Sequence, residues 1–243
     1  MDIYKNLNNS FFEDLDTNFN RACIMCEKDY THTELVNMLK TGNIPEKQIA
    51  ALKFDFVNSE SDAKLLLNNL TGCDGKIREA VALRINQILN EDENSREIFA
   101  SICSEVFAAA SIDINANICR LVVDSAVLLI DYDEFAKSYT NKIYDYITEA
   151  LSEIDKFIFR DKKYVINKQI FKLYWCLEAL IYFYLYLPSD ELEKILTKCA
   201  SQKEYTIREK VAQIVVHTKD FSQIKENLAN DENYYVRQVI LNH

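Results

Sequence analysis

The chain has 243 residues, of which 49% are hydrophobic, so it is long enough and apolar enough to bury a sizeable core. Its three glycines and two prolines are too few for the many tight turns of a β-rich protein, which favours an all-α fold. A formal net charge of −10 disfavours general binding to nucleic acids, because a phosphate backbone requires an electropositive surface.

Residues 1–32 predict one or two capping helices at the start of the fold. They contain no long apolar segment, so we expect neither a secretory signal nor a membrane anchor, and we predict a cytoplasmic protein. Cys23, Cys26 and His32 have the spacing of a zinc site, but strong zinc signatures bring a second spaced cysteine pair, which is missing here. We therefore interpret the two cysteines as small apolar residues and predict no cofactor, with zinc as the alternative.

The segment from Ser61 to Leu89 predicts two antiparallel helices joined by a tight turn. A run of leucines marks one face of the first helix, and two glycines allow the chain to reverse. Asp74 is placed to cap the second helix, in which apolar residues recur at helical spacing from Ile77 onward. Residues 33–57 have the same organisation. Because such a pair leaves apolar faces uncovered, we expect neighbouring copies to stack on it.

The second helix of this pair recurs along the chain. Its marker is an isoleucine or valine followed by an arginine, and the three marker arginines are Arg78, Arg208 and Arg237. Two looser copies lie between them, in which Cys119 and Asn167 replace the arginine. The equivalent points are about 30 to 50 residues apart, a spacing that suits two-helix repeats of variable length.

With a capping residue, a hydrophobic residue followed by arginine, and an aliphatic residue four positions later, the chain resembles the HEAT-repeat family, in particular the short bacterial HEAT-like repeats. The resemblance implies one all-α domain over residues 1–243, a right-handed α-solenoid with about six stacked helix pairs in residues 33–243. It implies binding to other macromolecules and does not imply a reaction. It also implies a structural role for the marker arginines, which in this family bond carboxylates and carbonyls of neighbouring turns.

The fourth pair is predicted to contain long helices. The first runs from about residue 132 to 159, and the second lies in residues 164–187, the most aromatic segment of the chain. A membrane span is disfavoured there because charged residues interrupt the apolar run. The aromatic residues exceed what one buried stripe requires, so we expect some of them on a docking surface. The last helix has no polar capping repeat after it, so its exposed face is a candidate surface for a homodimer.

These observations favour a non-enzymatic scaffold that binds a protein or peptide on the concave surface formed by successive second helices. The acidic balance of the chain suggests a basic partner. The candidate binding residues are Trp175, Tyr174 and Lys172, with Asp124 and Arg84 on neighbouring repeats.

Two enzymatic alternatives stay open. HEAT-like bacterial DNA glycosylases are similar in size and architecture, but this chain lacks a basic series of helices. A lyase or lyase subunit that acts on bilin-bearing proteins is the second alternative, and it depends on the shared repeat type alone.

Overall fold

The computed structural model describes residue 20 and residues 23–156, 163–218 and 220–242. Residues 23–27 are helical. In the described ranges thirteen α-helices follow from His32 onward, and no strand occurs. The first seven are α1 (His32–Thr41), α2 (Ile44–Lys53), α3 (Glu60–Leu70), α4 (Gly75–Glu91), α5 (Glu93–Ala100), α6 (Ser104–Ala110) and α7 (Ala116–Val127). The last six are α8 (Asp133–Lys156), α9 (Lys163–Phe183), α10 (Ser189–Ala200), α11 (Tyr205–Val215), α12 (Ser222–Ala229) and α13 (Tyr234–Leu241), with a 3₁₀ turn at Tyr184–Tyr186.

The helices form six stacked pairs in two layers, so the helical-repeat fold predicted from the sequence is confirmed. In every pair the first helix packs against the second. The second helices contact one another in the order α2, α4, α7, α9, α11 and α13, and this row is called the second-helix layer below. The first helices form the other layer, in which the short helices α5 and α6 together take the place of one helix.

Local sequence explains where several of the second helices begin. The side chain of Asp74 accepts hydrogen bonds from the backbone N–H groups of the first turn of α4, and Asn115 and Asn233 cap α7 and α13 in the same way. Asn43 forms a reciprocal capping box with Glu46 at the start of α2. Such caps satisfy donors that a helix leaves unpaired at its N-terminus, which fixes where each turn ends.

A continuous apolar core lies between the two layers and extends from Leu35 to Val236. Its largest fully buried side chain, Tyr139, stacks on Phe135 and shares a hydrogen bond of 2.8 Å with the Ser111 hydroxyl. The phenol oxygen is therefore satisfied despite its burial. This cluster joins the third and fourth pairs.

Two predicted features lie wholly or partly outside the described residues. The predicted capping region, residues 1–32, is described only at residue 20 and from residue 23 onward. The first helix of the fourth pair, predicted to end near residue 159, is described as far as Lys156. None of the described helices combines the length and the hydropathy that a membrane crossing requires.

Candidate functional site

A cleft of about 520 Å³ opens in the second-helix layer between α9 and α11. Most of its wall comes from α9, and the start of α11 closes the opposite side. The lining residues are Ala116, Asn167, Ile170, Phe171, Tyr174, Trp175, Glu204 and Thr206. We call this the α9–α11 cleft. Three of its eight lining residues are aromatic, and Glu204 is the one charged residue among them.

Three aromatic rings in the cleft wall meet edge to face. The ring centroids of Tyr174 and Trp175 are 5.4 Å apart with an interplanar angle of 85°, and those of Phe171 and Trp175 are 6.4 Å apart at 66°. Such arrangements match the positive edge of one ring to the negative face of the next. The rings therefore form a corner that presents both faces and edges to a ligand.

A nearly buried ion pair supports the cleft. Lys210 on α11 pairs through Nζ with the carboxylate of Glu178 on α9, and it donates a hydrogen bond of 2.9 Å to Gln213. The same ammonium lies 5.0 Å from the centroid of the Tyr174 ring. Since a buried ammonium is unfavourable without such partners, these contacts hold α9 against α11 and fix one face of Tyr174.

The indole nitrogen of Trp175 has no hydrogen-bond partner. Nε1 is shielded from solvent, and no acceptor reaches it among the described residues. A buried donor left unpaired in this way costs about 1–3 kcal/mol. The indole N–H is therefore a group that an incoming acceptor would stabilise.

Of the five residues predicted to bind a partner, the structure brings only Tyr174 and Trp175 together in the cleft. Lys172 instead faces α8, where Nζ lies 2.6 Å from a carboxylate oxygen of Glu149 and 4.7 Å from the ring centroid of Tyr146. These contacts join the two helices of the fourth pair, which places Lys172 away from the cleft.

Asp124 lies apart from the cleft as well. It lines a separate pocket of about 280 Å³ together with Asn86, Asn90 and Tyr182. Partial burial raises the pKa of Asp124 above its ordinary value; Arg120 opposes the rise and Glu178 adds to it.

Arg84 is held by the preceding pair. Its Nε donates to the Phe54 carbonyl at 2.5 Å, and its Nη2 donates to the Asp55 carbonyl at 3.1 Å. Both carbonyls follow the last residue of α2, so the guanidinium caps the end of that helix.

The three marker arginines share one geometry. In each, Nη1 donates to two backbone carbonyls of the turn that precedes its own helix. Arg78 and Arg208 also donate from Nε and Nη2 to the carboxylate of an aspartate in the next turn, Asp113 and Asp231 respectively, at 2.7–3.2 Å. For Arg237, no carboxylate takes this position within the described residues.

The pairing shifts the pKa of both partners in the direction that favours their charged forms. A hydrogen bond from the Arg208 guanidinium to Asp231 raises the pKa of Arg208. Burial works against ionisation of Asp231, but bonds from Arg208 and from the Asn233 backbone outweigh it and lower the pKa of that carboxyl. In the third pair Cys119 replaces the arginine, and its Sγ lies 3.0 Å from the Asp113 carbonyl. Burial raises the pKa of Cys119 to about 12.

The structure does not assemble the alternative zinc site. The His32 ring stacks on Phe56 with a centroid distance of 5.1 Å, and its Nε2 lies 3.4 Å from a carboxylate oxygen of Asp62. No group of three His, Cys, Asp or Glu in the described part of the chain is placed to hold a metal ion. Cys23 and Cys26 are free cysteines.

Part of the cleft wall was not predicted from the sequence. Asn167, Phe171 and Tyr174 follow helical i, i+4, i+7 spacing on α9, so their common face was detectable from the pattern. Glu204 and Thr206 carry no such signal, because their position in the cleft depends on how α11 packs against α9.

Solved structures with a similar fold were found at low sequence identity. A HEAT-like repeats protein from the archaeon Thermococcus onnurineus NA1 is 12% identical, over 88% of this chain and 79% of that one, with a TM-score of 0.46. One engineered protein is 13% identical over 88% of this chain and 96% of its own, with a TM-score of 0.48. A second engineered protein is 11% identical over 88% of this chain and 94% of its own, with a TM-score of 0.47. No family model matches the chain, and no curated protein matches it. The assignment as a helical repeat rests on the stacked pairs described above.

Proposed function

We propose that this protein is a non-enzymatic scaffold that binds an extended peptide segment of a partner protein in the α9–α11 cleft. The observation that carries the proposal is an aromatic corner, formed by Phe171, Tyr174 and Trp175, that opens in the second-helix layer. Helical-repeat proteins use the concave surface created by successive repeats to bind partners. Tryptophan and tyrosine in such pockets supply much of the binding energy at protein interfaces.

The charge of the cleft favours a basic side chain as the anchor of the peptide. Glu204 stands beside the aromatic rings, and the whole chain carries a net charge of −10. A lysine or arginine that enters the cleft gains attraction from ring faces and from the carboxylate together. The ammonium of Lys210 does not oppose this strongly, because Glu178 neutralises it.

The unpaired indole N–H adds a preference for a backbone carbonyl next to the basic side chain. Nε1 of Trp175 is closed to solvent in the free protein, so a small side-chain movement must expose it first. An extended peptide offers a carbonyl at every residue, and pairing one of them with the indole removes the penalty of an unsatisfied donor.

Intrinsic fluorescence gives a direct test, because Trp175 is the only tryptophan of the chain. Peptides would be selected from a displayed random library on the immobilised protein and then titrated against the free protein. We expect enrichment of lysine or arginine, and saturable changes in emission with micromolar dissociation constants. Glu204→Gln should weaken binding of a lysine peptide about threefold to fivefold, the loss expected when a solvent-exposed charge contact of up to about 1 kcal/mol is removed.

Matched variants separate the cleft from the rest of the surface. Thr206→Arg keeps the fluorophore but fills the cleft, so it should abolish the response to the peptide. Tyr182→Ala removes an exposed tyrosine from the same helix outside the cleft and should leave the affinity unchanged. Selected peptides that bind the Thr206→Arg protein as well as the wild type would refute the proposal.

A further inference from the structure

Arg237 differs from the two equivalent arginines in the contacts of one edge of its guanidinium group. This edge consists of Nε and Nη2, which bind a carboxylate in the other two arginines. Nε and Nη2 of Arg78 and Arg208 hold the carboxylates of Asp113 and Asp231 in the next turn, and their side chains are only 12% and 8% exposed. Nη1 of Arg237 makes the same two carbonyl contacts, so its guanidinium is held in the same orientation. Its other edge makes no ion pair with a carboxylate among the described residues.

The apolar residues around Arg237 are uncovered in the same way. Leu241 is 63% exposed, whereas its equivalents Ala82 and Ala212 are 1% and 0% exposed. Ile240 is half-buried, while the valines at the equivalent positions of α4 and α11 are fully buried. Together with Tyr234, which is 59% exposed, these residues follow i, i+3, i+6, i+7 spacing on one side of α13. We call Tyr234, Arg237, Ile240 and Leu241 the α13 face.

An exposed carboxylate belongs to a residue next to Arg237, because the backbone carbonyl of Glu232 accepts a hydrogen bond from Nη1 of Arg237. Glu232, five residues earlier, has a side chain that is 88% exposed, and its one ion pair is a contact of 3.4 Å with Nη2 of Arg208. The surface thus carries an exposed acid, a guanidinium edge without a carboxylate and the exposed apolar side chains of α13. A patch that contains both a group and its complement can pair with itself across a two-fold axis.

We propose that the α13 face binds a second copy of this chain around a two-fold axis, with Glu232 of each copy on Arg237 of the other. This charge contact forms twice by symmetry, and the two contacts flank the tyrosines, isoleucines and leucines of α13. Tyrosine and arginine are enriched at such interfaces, and bidentate contacts between guanidinium and carboxylate fix their orientation.

Head-to-tail stacking of α13 on the first helix pair of a second copy fits less well. Asp113 and Asp231 each stand two residues before the residue that caps a second helix, Asn115 and Asn233. In the first pair the cap is Asn43, and the residue two positions earlier is Thr41. The first turn therefore offers no carboxylate at the place that Arg237 requires, which favours the two-fold arrangement.

A charge-swap experiment tests the pairing. Sedimentation velocity over a concentration series would compare the wild type with Glu232→Arg, with Arg237→Glu and with the double variant that exchanges both residues. Each single variant places like charges across the axis and should raise the dimer dissociation constant at least about tenfold. The double variant restores opposite charges in reversed order and should return most of the lost affinity.

The control is Glu193→Arg, which makes the same change of charge at an exposed position on α10 and should leave dimerisation unchanged. Far-ultraviolet circular dichroism would establish that each variant is folded. A wild type that is monomeric throughout the concentration series overturns the proposal. So does a double variant that dimerises no better than the single variants. Neither outcome affects peptide binding at the α9–α11 cleft, which is tested separately.

Discussion

The contact of Arg208 with Asp231 shows how a single residue pair joins successive repeats. Both side chains are 8% exposed, and the guanidinium also holds two carbonyls of its own turn. Charged groups with so little exposure require their partners, since an uncompensated buried charge is strongly destabilising. The sequence identified the arginine because it recurs, whereas Asp231 became apparent only when the next turn was placed beside it.

Replacing Asp231 by asparagine should therefore destabilise the protein. We expect a loss of about 2 kcal/mol in the free energy of unfolding at pH 7, the size of a hydrogen-bonded charge contact. Urea denaturation would measure it, with Asp131→Asn as a control at an exposed aspartate. Because the folded-state pKa of Asp231 lies below its ordinary value, the contribution is present above about pH 4 and is lost as pH falls through the lower folded pKa. An equal difference between variant and wild type at pH 7 and pH 3 would contradict this account.

At the scale of a helix, the residues that precede α4 and α11 occupy equivalent positions but differ in whether their side chains cap the helix N-terminus. The Asp74 carboxylate accepts hydrogen bonds from the backbone N–H groups of Lys76 and Ile77, whereas Glu204, in the same position before α11, makes no side-chain capping bond. Asp74→Ala should therefore cost about 1 kcal/mol. Glu204→Ala should cost less than about 0.5 kcal/mol, as expected for a surface change. Equal losses in thermal or urea denaturation would show that cap geometry is not what distinguishes the two helices.

Helix pairs and their capping residues could be predicted from the sequence, because they depend on local spacing. The repeat of a hydrophobic residue with arginine located α4, α11 and α13, and Asp74 was identified as the cap of α4. The candidate site was predicted less completely. Lys172 and Trp175 are three residues apart on one helix, yet Lys172 turns to α8 while Trp175 lines the cleft. Which neighbour a helix face meets is decided by tertiary packing, and a single helical stripe does not contain that information.

At the scale of the molecule, each pair contacts mainly its neighbours, so the stability of one region depends on whether both of its sides are covered. The second helices α4, α7, α9 and α11 pack between two others in their layer. Helix α13 contacts one neighbour in that layer, α11, and its opposite face is exposed. Solvent therefore reaches the backbone of α13 more easily than that of these four helices.

This asymmetry leads to a prediction for amide hydrogen exchange followed by mass spectrometry. In dilute protein, α13 should exchange much faster than α7 and α9, because its local opening disrupts contacts on one side only. If the α13 face pairs with a second copy, raising the protein concentration should slow exchange in α13 and leave α7 and α9 unchanged. Glu232→Arg should remove this dependence on concentration while the protection of the central helices persists. Slow exchange in α13 at every dilution would mean that the helix is stable without a partner on its exposed face.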